Sequence, residues 1–177
     1  MEKRLNMAFD SGLTYMLTYL STLIFVFLGV YVGAILAFIA PEELKPGRTY
    51  LKAFMNTVLI FMVLILLYAY GANLFVLILL GVAASLFLYF TTESTPVNQI
   101  AYFLMGIAFF FATRNIDLFI VVASLIFIYG LPLGSLFVAR RMKKSKGTVL
   151  ADALLNFGFF VIIAMMVNLF VLYVQNS

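Results

Sequence analysis

Residues 11–40 read SGLTYMLTYLSTLIFVFLGVYVGAILAFIA, from Ser11 to Ala40, without one charged side chain. A helix rises about 1.5 Å per residue, so about 20 apolar residues cross the hydrocarbon of a bilayer, and this stretch is longer than that. It stops at Pro41-Glu42-Glu43. A cleaved leader has an apolar run of only about 7–15 residues and small residues before the cut. Here the run is far longer, and Phe38-Ile39-Ala40 has no small residue two positions before Ala40, so a retained helix is expected.

Working outward, the same reading gives five more spans. After Pro46-Gly47 comes about Thr49–Tyr70, and after the turn Gly71-Ala72-Asn73 comes about Leu74–Phe90. Beyond the polar stretch Thr91–Asn98 lie about Val97–Ala112, Leu118–Ala139 and Thr148–Val174. The fold predicted is all-α, a polytopic integral membrane bundle of six transmembrane helices forming a single transmembrane domain over residues 1–177. The fourth helix is short, so a tilted neighbour, a thinned bilayer or a partly re-entrant path would have to accommodate it.

Composition agrees with lipid as the solvent. Of 177 residues 66% are apolar and 10% charged, with a mean hydropathy of +1.16, against about 25% charged in soluble domains. Histidine, cysteine and tryptophan are absent, which removes disulfides, thiolate and imidazole metal ligands, cysteine nucleophiles and histidine bases. No GxxxxGK[ST] loop, HExxH or GxSxG motif occurs, and the adjacent acids are Glu42-Glu43 in a loop. No catalytic residue, cofactor or metal ligand is therefore assigned, and the chain is not read as an enzyme.

The net charge of +4 is distributed unevenly. Five of the eleven cations lie between Arg140 and Lys146, as expected of a loop that fixes membrane orientation rather than one that binds nucleic acid. The loops after helices 1, 3 and 5 hold Lys45, Arg48, Lys52, Arg140, Arg141, Lys143, Lys144 and Lys146; the other side holds Lys3, Arg4 and Arg114. The positive-inside rule then expects a cell-membrane protein with the Arg140–Lys146 loop in the cytoplasm and both termini outside. That basic face is expected to favour the anionic headgroups of membrane lipids. The segment from Pro41 to Arg48 reads as a surface loop with at most one helical turn.

Asn73-Leu-Phe opens the third helix and Asp117-Leu-Phe the fifth, each with a residue suited to capping the free N–H groups of a first turn. Superposing these caps aligns hairpin 2–3 on hairpin 4–5. The shared letters fit either a duplicated hairpin or two turns that each need a cap.

In helix 1, Ser11, Thr14, Thr18, Thr22, Gly29 and Gly33 recur at helical steps. Gly29-x-x-x-Gly33 is the small-residue pattern that lets helix backbones approach closely. Gly29, Gly33, Thr18 and Thr22 are therefore the expected packing face, with Gly81, Ala84 and Ser85 of helix 3 as the natural partner. A homo-oligomer contact through the same face, or a polar pathway, are the alternatives.

The polar candidates are few. Asp152 and Asn156 are four apart and share a helix face, and Arg114 and Asp117 flank the turn before helix 5. As a polar or transport site they would hold a cation, a proton or an ion-pair gate; structurally they are a cap, a snorkelling arginine and an interhelical bond. Gly130-Leu-Pro132-Leu-Gly134 interrupts helix 5 and predicts a kink at Gly130, Pro132 and Gly134. The leading expectation is a small membrane subunit or scaffold that packs with itself or with other membrane proteins. The alternatives are a small-solute or ion channel or transporter using the helix 5 kink, and a lipid-modifying membrane enzyme.

Overall fold

The computed structural model describes residues 12–91, 95–142 and 145–176, with side chains over 14–44, 46–86, 101–142 and 145–169. Ser11, Lys3, Arg4, Lys143 and Lys144 lie outside the described residues, as does the side chain of Lys45. All regular structure described is helical: α1 (Gly12–Ile39), α2 (Leu44–Ala69), α3 (Leu74–Thr91), α4 (Thr95–Ala112), α5 (Ile116–Ala139), α6 (Lys146–Phe157) and α7 (Phe159–Asn176). The chain is an all-α helical bundle.

Two helix boundaries differ from the sequence expectation. α2 begins at Leu44 rather than near Thr49, so Pro46, Gly47 and Arg48 are helical and not loop. Proline is tolerated in a first turn because its missing N–H would have no intrahelical partner there, and the helix is already established when the Gly47 N–H donates to the Glu43 carbonyl at 2.9 Å. The sixth expected span is two helices in sequence, divided at Gly158. The Gly158 N–H donates to the Leu154 carbonyl (2.7 Å) and its own carbonyl accepts from Val161 N (3.0 Å), so α7 continues α6 end to end.

α5, by contrast, is one helix from Ile116 to Ala139 with Pro132 inside it. The Gly130–Gly134 segment does not break it.

The turns follow from backbone chemistry. α2 ends with Gly71 at φ +85°, the left-handed region that a Cβ disfavours. The Gly71 N–H donates to Tyr68 O (2.9 Å) and the Ala72 N–H to Leu67 O (3.0 Å), the paired bonds of a Schellman ending. Asn73 then caps α3, its Oδ1 accepting from Phe75 N at 3.0 Å. At the start of α5 the cap is Asn115, not Asp117: its side chain accepts from Asp117 N (2.9 Å) and Leu118 N (3.5 Å). Asp117 sits inside the first turn. The two Leu-Phe pairs are therefore two residues out of register relative to their caps, and the superposition of hairpins 2–3 and 4–5 loses its anchor.

α5 is the central helix, packing on α1, α2 and α4, while α4 also packs on α7. α3 packs chiefly on α2 at the outside of the bundle, and not on helix 1 as its small residues had led us to expect. Around α5 lies one core that includes Leu23, Val26, Val30, Met105, Phe109, Val122, Ile126, Tyr129 and Phe160.

The outer surface is apolar as well: Phe75 and Leu155 are 72% and 71% exposed. Four stretches, Thr14–Ile39, Pro46–Ala69, Ile116–Ala139 and Lys146–Leu169, are long and apolar enough to cross a membrane. Leu74–Leu86 and Ala101–Ala112 are shorter apolar stretches among the described residues. Helices of this length with apolar residues on their outer as well as inner faces make the chain a membrane-embedded protein by length and composition.

Candidate functional site

Among the described glycines, the tightest contacts join α1 and α5, which run parallel. A Cβ built on Gly29 would fall on the Phe127 carbonyl oxygen, and one on Gly33 on the Leu131 carbonyl oxygen. From the other side, a Cβ on Gly130 would lie 2.9 Å from Val30 N, and one on Gly134 would fall on the Val30 carbonyl oxygen. Both helices thus carry a glycine pair four residues apart, and the pairs interlock backbone to backbone. Ser135 adds a buried bond across the seam, its Oγ donating to Gly33 O at 2.8 Å or to Leu131 O of its own helix at 3.0 Å. The Gly130–Gly134 segment is thus a packing surface for α1.

Gly29 and Gly33 lie where the helix 1 pattern put them, at a helix contact. Thr18 and Thr22 do not share it: Thr18 is exposed and Thr22 half-buried. Thr22 Oγ1 donates to the Thr18 carbonyl at 2.8 Å, which satisfies the hydroxyl within its own helix and leaves it free to face lipid. The inward face of α1 is instead Tyr19, Leu23, Val26, Val30, Ala34 and Ala37.

The polar candidates occupy opposite ends of the bundle. At one end, the Arg114 guanidinium stands 5.6 Å from the centre of the Tyr70 ring, and Tyr70 donates its hydroxyl to Phe111 O at 2.9 Å. At the other, Arg141 Nε lies 3.7 Å from Asp152 Oδ2, and the same guanidinium covers the Phe137 ring at 3.8 Å. Asn156 donates from Nδ2 to the Asp152 carbonyl at 2.6 Å, one turn back along α6. From Asp117 to Arg141 is the length of α5, about 36 Å at 1.5 Å per residue. Arg114 and Asp117 are therefore separated from Asp152 and Asn156 by the whole bundle, with the glycine seam between them closed by α1.

A polar cluster that the sequence reading passed over joins α1 to α7. Tyr19 donates to Ala164 O at 2.8 Å, and Tyr15 to Oδ1 of the buried Asn168 at 3.3 Å. Asn168 and Tyr19 also line a small cleft of about 250 Å³ with Met16, Leu17, Leu20 and Met165. Asn168 is an amide deep in an apolar helix, a signal the sequence carries, but its tyrosine partner is about 150 residues away in sequence. Tyr102 is packed against Tyr129, Phe157 and Phe160, and its buried hydroxyl has no hydrogen-bond partner among the described residues.

A larger open cleft of about 620 Å³ lies between α2 and α3, lined by Ile60, Leu64, Tyr68, Leu77, Gly81 and Ser85 among others. Its lining is almost wholly apolar, and the Ser85 hydroxyl is bonded to Gly81 O at 2.7 Å in its own helix. The end of the bundle opposite Arg114 is basic, with Arg48, Lys52, Arg140, Arg141 and Lys146 on α2, α5, α6 and the adjoining turn. Chemically these arrangements pack helices, hold an ion pair at one end and a cation over an aromatic ring at the other, and present a cationic rim. No protein family, curated protein or solved structure matches this chain.

Proposed function

We propose that the chain is a small membrane-embedded subunit or scaffold whose six helical spans pack with copies of itself or with other membrane proteins. In this reading the basic loops face the cytoplasm and both termini lie outside, following the distribution of lysine and arginine. The observation that carries the proposal is the scatter of the ionisable groups. Arg114 and Asp117 are at one end, Arg141 and Asp152 at the other, and the glycines of α5 between them are filled by the backbone of α1. A transport path needs polar groups in series through the bilayer. The peripheral α3, with Phe75, Leu79 and Val82 exposed, offers further apolar surface to a neighbour.

Because the chain has no cysteine, single cysteines can be introduced one at a time. Leu79→Cys and Val82→Cys are expected to crosslink to a neighbouring protein in native membranes, while Gly29→Cys and Gly33→Cys, if folded, are not. If proteoliposomes instead carry a solute flux that Asp152→Asn abolishes, the channel or transporter reading replaces this one.

A further inference from the structure

The basic rim contains two guanidinium groups that make no ion pair among the described residues, although Glu42 and Glu43 lie in the turn before α2 at the same end. Arg141 is paired with Asp152 and lies over Phe137, and Lys146 stands 5.6 Å from the centre of the Phe38 ring. Arg48, in the second turn of α2, and Arg140, at the C-cap of α5, have no carboxylate partner among the described residues. α2 and α5 pack antiparallel, so these two arginines come to the same end of the bundle. The helix that ends at Arg140 points its free carbonyls, with their negative partial charge, at that position, which helps to hold the cation there without neutralising it.

We propose that Arg48 and Arg140 together bind the phosphate of an anionic phospholipid at the rim of the bundle. Three features favour a lipid over other anions. The arginines stand at the ends of helices long enough to cross a bilayer, which is the depth of the headgroup phosphates. Guanidinium forks match phosphate oxygens two at a time, a geometry that lysine cannot reproduce. Toward the same end of α1 and α2, Ile39, Tyr50 and Phe54 are exposed, giving the acyl chains an apolar surface. Partial desolvation against the bundle end, then the charges of Arg48 and Arg141, hold the Arg140 guanidinium below its usual value. That mutual repulsion is what a bound anion would relieve. Lys52 and Lys146 at the same end add long-range attraction for an anionic headgroup.

The test is native mass spectrometry of the full chain in detergent, titrated with dioleoylphosphatidylglycerol or dioleoylphosphatidylcholine. Phosphatidylglycerol is expected to bind about tenfold or more tightly, from about fivefold for each basic side chain near the headgroup. Arg48→Gln and Arg140→Gln are each expected to lose about fivefold of that preference. Arg114→Gln, at the other end, should leave it unchanged. Both arginines are exposed, so wild-type melting curves are expected for the variants, and their loss of preference would then report binding rather than folding, whereas an undiminished preference in both variants would overturn the proposal. Equal binding of the two lipids, or an equal loss from Arg114→Gln, would overturn the proposal. So would displacement of phosphatidylglycerol by millimolar inorganic phosphate, which would make this a free-anion site. These outcomes are independent of the subunit proposal, which the crosslinks test.

Discussion

At Gly134 a single added methyl group would occupy the place of the Val30 carbonyl oxygen, and that oxygen belongs to a helix backbone that cannot step aside alone. Gly134→Ala is therefore expected to push α1 and α5 apart and cost about 1–3 kcal/mol, as overpacking does. Gly47 has nothing within 4 Å of the corresponding position, so Gly47→Ala should be neutral or stabilise by up to about 1 kcal/mol through helix propensity. Ser135→Ala removes the hydroxyl that bonds across the same seam, and interhelical bonds of this kind average about 0.6 kcal/mol in membranes. Thermal unfolding of the three variants in detergent would rank them. A larger loss for Ser135→Ala than for Gly134→Ala would mean that hydrogen bonding, not backbone contact, holds the seam. Gly29 and Gly33 were legible as a packing pair from their spacing alone. Gly130 and Gly134 have the same spacing, and the sequence points to a kink at Pro132 but not to the packing against α1 that the structure adds.

For single elements, the caps show how far local chemistry reads from sequence. Asn73 and the Gly71 turn were predicted and are present, because a cap needs only its own three or four neighbours. Asp117 was the wrong choice before α5: Asn115 holds the extended conformation of a cap, and Asp117 lies two residues further in. Both residue types suit either role, so the sequence alone left the position open by two residues. Asn115→Ala is expected to cost about 1 kcal/mol. Asp117→Ala should cost less, about 0.3–1 kcal/mol from the helix dipole, and that part should fade as salt rises. Melting curves of the two variants at low and high salt would check both the order and the salt response. The early start of α2 has a similar origin. Pro46 was read as a loop residue, and it is compatible with a helix only because it falls within the first turn.

In the whole molecule, the bundle divides into a tightly packed centre around α5 and a peripheral α3 that leans on α2 across an open cleft of about 620 Å³. Segments with few buried contacts open locally at lower free energy. Amide hydrogen exchange in detergent or nanodiscs should therefore be faster along Leu77–Leu86 than along Val122–Leu133. Equal protection would show that α3 is as firmly held as the core. Which helix took the centre was not legible. The helices are apolar on every side, so periodicity cannot say which side faces protein, and Thr22 in the α1 stripe satisfies its hydroxyl within its own helix.

The order of residues along the chain by itself determined that they form apolar helices suited to a bilayer, where roughly these begin and end, and at which end the positive charge collects. Those properties depend on the backbone, on near neighbours in the chain and on the solvent. The tertiary structure decided that α1 pairs with α5, that Asn168 meets Tyr15, that Asp152 pairs with Arg141, and that Arg48 and Arg140 share one end with neither in an ion pair among the described residues. In a chain where lipid and protein interior are equally apolar, hydropathy does not distinguish a buried face from an exposed one. Partner choice then depends on backbone fit and on the few polar atoms, and both depend on residues far apart in sequence.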